Sequence, residues 1–155
     1  MDATHGSALS PPELFDISDR ERMAAALAVR FAVFVDEQRV PAEEEVDDHD
    51  RTDARARHAV IRAGATVVAA GRYYRSADGA AQIGRMAVLK DARGRGIGRV
   101  LLDALVADAR ARGFARATLN AQDHAVGFYA KAGFTPFGDT LVECEIVHQP
   151  MLLVL

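Results

Sequence analysis

The chain has 155 residues, half of them hydrophobic and 26% charged, with a formal net charge of −3. That length fits one domain with a sizeable core, and the slightly acidic balance leaves no electrostatic footprint for nucleic acid. Cys144 is the only cysteine, which excludes an internal disulfide and a cysteine-rich metal site. The first residues, "MDATHGSALSPPEL", have neither a basic start nor a long apolar run, and no later stretch approaches the length of a bilayer span. The reading is a cytoplasmic protein with no membrane partner.

Residues 1–12, ending in Pro11-Pro12, read as a flexible lead-in, and "ELFDI" (13–17) as a first strand. Ser18 and Glu21 have capping-box spacing, and Met23, Leu27, Phe31 and Phe34 share one helical face, which predicts a helix over about 19–34. The run "DEQRVPAEEEVDDHDRTD" (36–53) breaks that pattern and reads as an acidic loop or short-helix region. "HAVIRAG" (58–64) and "TVVAAGRYYRS" (66–76) flank a tight turn at Gly64, and Asp78-Gly79 leads into "AAQIGRMAVLK" (80–90), giving a three-stranded antiparallel meander. Ile97, Leu101, Leu105 and Ala109 then mark a helix that Gly113 ends. "ARATLNA" (115–121) reads as a strand and Asp123–Ala132 as a short helix stopped by Gly133. "FTPFG" and "ECEIVHQPMLLVL" close the chain as strands.

The stretch "RGRGIGR" (93–99) stands between an apolar strand and an amphipathic helix. A flexible turn would account for the glycines alone. Their position at a helix start offers more: the first N–H groups of a helix lack partners, and bare backbone lets an anionic group reach them. Arg93, Arg95 and Arg99 add cationic charge, so the loop reads as a phosphate cradle. It is not a Walker A loop, which requires GxxxxGK[ST]. Nor is it a dinucleotide fingerprint, because the third glycine position holds Arg99 or Leu101.

Arg93-Gly94-Arg95-Gly96-Ile97-Gly98 matches the R/Q-x-x-G-x-G/A signature of the GNAT acetyltransferase superfamily, and "AVGFYAKAGF" (125–134) resembles that family's final-helix motif. "RFAVFVDEQRVPAEEEVDDHD", His58, "LNAQDHAVGFYAKAGF" and "ECEIVHQPM" together resemble its ElaA-like branch, so the likeness runs from about residue 20 to the end. The resemblance implies an α/β (α+β) GNAT fold: a mixed, mostly antiparallel sheet splayed between strands 4 and 5, with helices on both faces. Residues 13–155 would form a single N-acetyltransferase domain. The implied activity is acetyl transfer from acetyl-CoA to a primary amine of a small molecule or peptide, by a monomer or homodimer that needs no metal.

By the same resemblance, backbone amides of Gly94, Gly96, Gly98 and Arg99, with the charge of Arg93 and Arg95, would hold the coenzyme A diphosphate. Main chain at Val88 would pair with the pantetheine arm, and the Met86 N–H would face the thioester oxygen. Asn120 and Gln122 lie where strand five meets the last helix. Similar enzymes often have Asn in the slot of Gln122, and the alternative is a polar strand end. Tyr129 is the candidate general acid for the departing thiolate, against the simpler reading of a packed tyrosine. For the base, Glu37, His58, His124 and His148 compete with the acids of the 43–50 run; Glu37 and His148 occupy ElaA-like motif positions. "EEEVDDHD" lacks EF-hand spacing and reads either as an acidic entrance for a cationic amine or as a solvated loop. The alternative to an enzyme is a binding module that senses acyl-CoA with the same cradle.

Overall fold

A computed structural model describes residues 7–155. Four strands form an antiparallel meander: β1 (Glu13–Phe15), β2 (Arg57–Ala63), β3 (Thr66–Arg75) and β4 (Ala81–Val88). Between β1 and β2 run α1 (Arg20–Arg30), a π-helical segment (Phe31–Glu37) and two single turns, α2 (Ala42–Glu45) and α3 (Asp48–Arg51). A 3-10 turn (Lys90–Ala92) leads to α4 (Ile97–Ala111), β5 (Arg116–Gln122), α5 (Val126–Lys131), β6 (Thr135–Pro136), β7 (Leu141–Glu143) and β8 (Ile146–Val154). The sheet order is β1-β2-β3-β4-β5-β8-β6, with β7 paired to β8, and β4–β5 is its parallel junction.

Helices cover both faces, which explains why β2 and β3 read as nearly continuous apolar runs rather than as alternating strands. On one face α4 buries Ile97, Leu101, Leu105 and Ala109 against Ala59, Ile61, Ala69 and Tyr73. On the other, Met23, Ala26, Val29 and Val33 pack on Phe15, Val60, Ala70 and Ala87. This stripe corrects the expected Met23-Leu27-Phe31-Phe34 face. Small Ala26 and Val29 seat α1 close to the sheet, and the widened π turn re-phases the residues after Arg30.

The C-terminal reading also changes. "ECEIVHQPMLLVL" is not one strand; it is interrupted at Cys144-Glu145, where both residues adopt left-handed backbone (φ 49° and 64°). Such a two-residue hairpin turn normally carries Asn or Gly, so its sequence gives no turn signal. Residues 7–12, within the expected lead-in, are tied to the β2–β3 turn. The Ser10 N–H donates to the Arg62 carbonyl at 2.8 Å and the Gly64 N–H to the Ala8 carbonyl at 3.0 Å. The first six residues of that lead-in lie outside the described residues. Among the described residues, no helix is long and apolar enough to cross a membrane.

Candidate active site

β4 and β5 pair only at Ala81, Gln82 and Ile83 against Ala117, Thr118 and Leu119. Beyond Ile83 they part. β4 bulges there: its register with β3 jumps from Arg72↔Gly84 to Ala70↔Ala87, leaving Gly71 opposite both Arg85 and Met86. Gly71 also has no room for a side chain, since a Cβ would stand 3.0 Å from Leu105 Cδ1 and 3.2 Å from Met86 Cγ. β5 meanwhile stays with β8, setting Gln122 beside His148. The opening is a cleft of about 440 Å³ lined by Met86, Asn120, Gln122, Tyr129 and His148, with Phe34 and Gln38 closing it from the α1 side.

Tyr129 reaches this cleft from α5. Its hydroxyl lies 3.9 Å from Met86 Sδ, and its ring meets Phe128 and Phe134 edge to face. Burial pushes the phenol pKa up to about 12, so the group holds its proton throughout the physiological range. His148 is 8% exposed, and its Nδ1 lies 2.8 Å from the Ile146 carbonyl oxygen. A carbonyl only accepts, so Nδ1 must carry the hydrogen, and in the neutral ring Nε2 keeps its lone pair. Glu37 is elsewhere: both its carboxylate oxygens take the Arg93 guanidinium, at 2.8 and 3.0 Å, and it does not line the cleft. His124 lines the cleft, whereas His58 is buried behind it, stacked on Phe15.

The acidic run divides into two sets. Glu45, Asp47 and Asp50 are internal counter-ions. Arg30 binds Glu45 at 2.9 Å and Asp50 at 2.7 Å, while Arg72 binds Asp47 at 2.7 Å and Asp50 at 2.8 Å. Burial alone would raise the Asp50 pKa, but hydrogen bonds from Arg30 and the charges of Arg30 and Arg72 hold it well below the carboxylate range. For Glu45 burial prevails over Arg30 and Arg85, and its pKa is raised. Glu45 and Asp47 also line the cleft; Glu44 of the same run, joined at the mouth by Glu143 of β7, meets a neutral donor, Cys144 Sγ at 2.9 Å, as Glu143 meets Asn120 Nδ2 at 3.1 Å. The bond to Glu44 raises the Cys144 pKa, so the sulfur stays a thiol and is a poor nucleophile.

The glycine loop forms a second hollow of about 220 Å³, lined by Val88, Arg93, Gly94, Gly96, Gly98, Arg99 and Phe128. Gly94 and Gly96 adopt φ of +84° and +76°, and nothing lies within 4 Å of where their Cβ atoms would be. No side chain caps α4, so the first-turn N–H groups of Ile97, Gly98 and Arg99 have no intrahelical acceptor. Open backbone at a positive helix end fits a diphosphate. A Cβ at Gly98 would touch Phe128 at 3.5 Å, so glycine there widens the hollow and does not relieve a clash. Arg93 Nε also donates to the Val88 carbonyl at 2.9 Å, and Arg99 pairs with Asp103. Arg95 is turned from the hollow and donates to the Ser7 carbonyl at 2.7 Å.

Gln122 is bonded to Gln38 at 2.9 Å, an interaction between segments far apart in sequence. Gln38, Phe34, Phe128 and Arg85 escape a reading by motif. Phe128 stands beside the motif tyrosine and Arg85 beside Met86, but the side each faces depends on the turn of α5 and on the bulge. Among the described residues, no three His, Cys, Asp or Glu side chains gather as metal ligands.

The pattern of the acetyltransferase (GNAT) domain family matches residues 22–155. The chain is 38% identical to the uncharacterized N-acetyltransferase YjcF of Bacillus subtilis (strain 168) over 135 residues, 86% of this chain and 94% of that one. Its fold superposes on an acyl-CoA N-acyltransferase from Pseudomonas aeruginosa with a TM-score of 0.84 at 27% identity, covering 94% and 99% of the two chains. Escherichia coli ElaA gives a TM-score of 0.80 at 26% identity, again covering 94% and 99%.

Proposed function

The chain belongs to the GNAT acetyltransferases, and from that premise we propose that it moves an acetyl group from acetyl-CoA to a primary amine by direct attack within a ternary complex. The observation that carries this reading is the convergence of the Met86 bulge, the Tyr129 hydroxyl and His148 on one cleft where β4 and β5 part. The glycine hollow at the start of α4 fits the diphosphate. The edge of β4 from Gly84 to Val88, which β5 does not cover, fits an extended pantetheine arm.

In this mechanism His148 Nε2 takes a proton from the acceptor ammonium. The free amine attacks the thioester carbonyl carbon, and the Met86 N–H meets the negative charge that develops on the carbonyl oxygen. The carbon–sulfur bond then breaks, Tyr129 gives its proton to the sulfur, the second proton shed by the attacking nitrogen restores the phenol, and His148 releases the first to solvent. His148 is preferred to Glu37 as base because it lines the cleft, while both Glu37 oxygens are engaged by Arg93. Glu44 and Glu143 at the mouth favour an amine that carries a second positive charge, and a cleft of about 440 Å³ suits a small molecule.

The test is thiol release from acetyl-CoA across a panel of monoamines, diamines and polyamines, with product mass confirming N-acetylation. Stabilisation by coenzyme A without thiol release from any amine would leave a binding module instead.

A further inference from the structure

Arg85 is a non-glycine residue at φ +52°, directly before Met86 and inside the β4 bulge. That backbone region costs a side-chain-bearing residue on the order of 1–2 kcal/mol, and it persists only where surroundings hold it. Gly84, which would adopt it freely, is the neighbour and not the occupant. The contacts of the arginine side chain are candidates for what holds the strain.

That side chain is tied to the acidic run. Arg85 Nε donates to the Glu45 carbonyl at 3.2 Å, and Nη2 lies 3.4 Å from the Glu44 carbonyl. The same guanidinium pairs with Glu45 Oε2 at 3.3 Å and with Asp47 Oδ2 at 3.6 Å. Both carboxylates are themselves clamped, Glu45 by buried Arg30 and Asp47 by buried Arg72. The anchor is held because its charges are paired and shared among α1, α2, the start of α3 and β3, with Arg30, Arg72, Glu45 and Asp50 buried. One residue beyond Arg85, Met86 touches the Tyr129 hydroxyl through its sulfur.

We propose that Arg85 is a positioning residue: tethered to Glu45 and Asp47, it holds the strained bulge that aims the Met86 N–H at the acyl oxygen. The acidic run is then the mooring of the catalytic strand, a role separate from that of Glu44 at the mouth. The inference rests on the acetyl-transfer reading, and its test separates the two.

Acetyl-CoA labelled with carbon-13 at the acetyl carbonyl is bound to the protein, and the carbonyl stretch is read by isotope-edited infrared difference spectroscopy. Affinity is measured in parallel by calorimetry. In the native protein the band should move to lower frequency than in free acetyl-CoA, as a polarised carbonyl requires. Arg85→Ala should return it towards the free position with affinity changed by no more than about twofold, since the diphosphate hollow is untouched. Arg85→Lys, a point charge without the guanidinium fork, should fall between. Arg85→Gly removes both strain and tether; it should melt no lower than Arg85→Ala and still lose the band shift. Arg85→Ala and Arg85→Gly proteins that bind acetyl-CoA with the native band would overturn the proposal. An unshifted band in the native complex would remove the Met86 donor and Arg85's role with it. Absence of acetyl-CoA binding by the native protein would overturn the acetyl-transfer reading itself.

Discussion

Arg93 lays its guanidinium across both carboxylate oxygens of Glu37, at 2.8 and 3.0 Å, while its Nε caps the Val88 carbonyl at 2.9 Å. Both groups that would meet coenzyme A here, a cation for the diphosphate and a strand-edge acceptor for the pantetheine arm, are thus satisfied by one another. Ligand binding must exchange these contacts. Glu37→Gln should release Arg93 and tighten coenzyme A binding about two- to fivefold, the scale of one exposed charge pair. Arg93→Ala should weaken it by about tenfold. Calorimetry measures both. A fall in kcat of about a hundredfold in Glu37→Gln, with unchanged coenzyme A affinity, would instead make Glu37 the base.

Tyr129→Phe keeps the ring contacts with Phe128 and Phe134 and removes only the proton donor. Coenzyme A affinity should be unchanged and kcat should fall about 100-fold or more. Because burial pushes the phenol up to about 12, its ionisation should put no alkaline limb on the native rate profile below roughly pH 11. Native turnover in the Phe variant removes Tyr129 from the mechanism.

Glu44 and Glu143 accept hydrogen bonds from a thiol and an amide, donors that leave their charge uncompensated. With a diamine acceptor, Glu44→Gln and Glu143→Gln should each raise KM several-fold and leave kcat near native, since in the proposed complex the carboxylates would meet the distal charge and not the reacting nitrogen. The KM of the native enzyme for the same diamine should rise with salt, and less so in the double variant. Equal KM values in native and variant enzymes count against a dicationic acceptor.

His58 gives the fold a pH dependence of known sign. Burial, and after it the Arg30 and Arg72 charges, push its pKa from 6.5 down to about 4, while Asp50 and a hydrogen bond to the His49 backbone oppose the shift. A proton therefore prefers the unfolded chain. Stability is intact above pH 6.5 and falls as pH drops towards 4, by up to about 3 kcal/mol from the full shift. Glu45, whose raised pKa has the opposite effect, softens the loss near its lower end. Asp50 adds its own loss only below the ordinary carboxylate range. Urea unfolding at pH 7 and pH 5 should show the slope in the native protein and a flatter one in His58→Gln. The same slope in both proteins would place the linkage at another group.

Much of the scaffold was legible because it follows from local chemistry. Alternating and continuous apolar runs marked β2 to β5, and Gly64, Gly79 and Gly113 marked turns through φ values of +61°, +88° and +90°. The family motif pointed to Tyr129, the glycine loop and His148, and the fold brings Tyr129 and His148 to one cleft. What stayed hidden depends on distant partners. The π turn after Arg30 interrupts a helix without a proline or glycine to announce it, and the Cys144-Glu145 turn uses residues that normally avoid left-handed backbone. The acidic run looked uniform, because only the folded chain decides that Asp50 meets Arg30 and Glu44 meets a thiol.

The hydrogen bond that the Gln122 side-chain amide donates to Gln38 joins the end of β5 to the helical segment that packs against β4. Both side chains line the cleft, so the bond ties one wall of it to the other. Direct transfer as proposed needs donor and acceptor in this bridged cleft together, with neither leaving before the other binds. Initial-rate plots at several fixed concentrations of the second substrate should accordingly intersect and not run parallel.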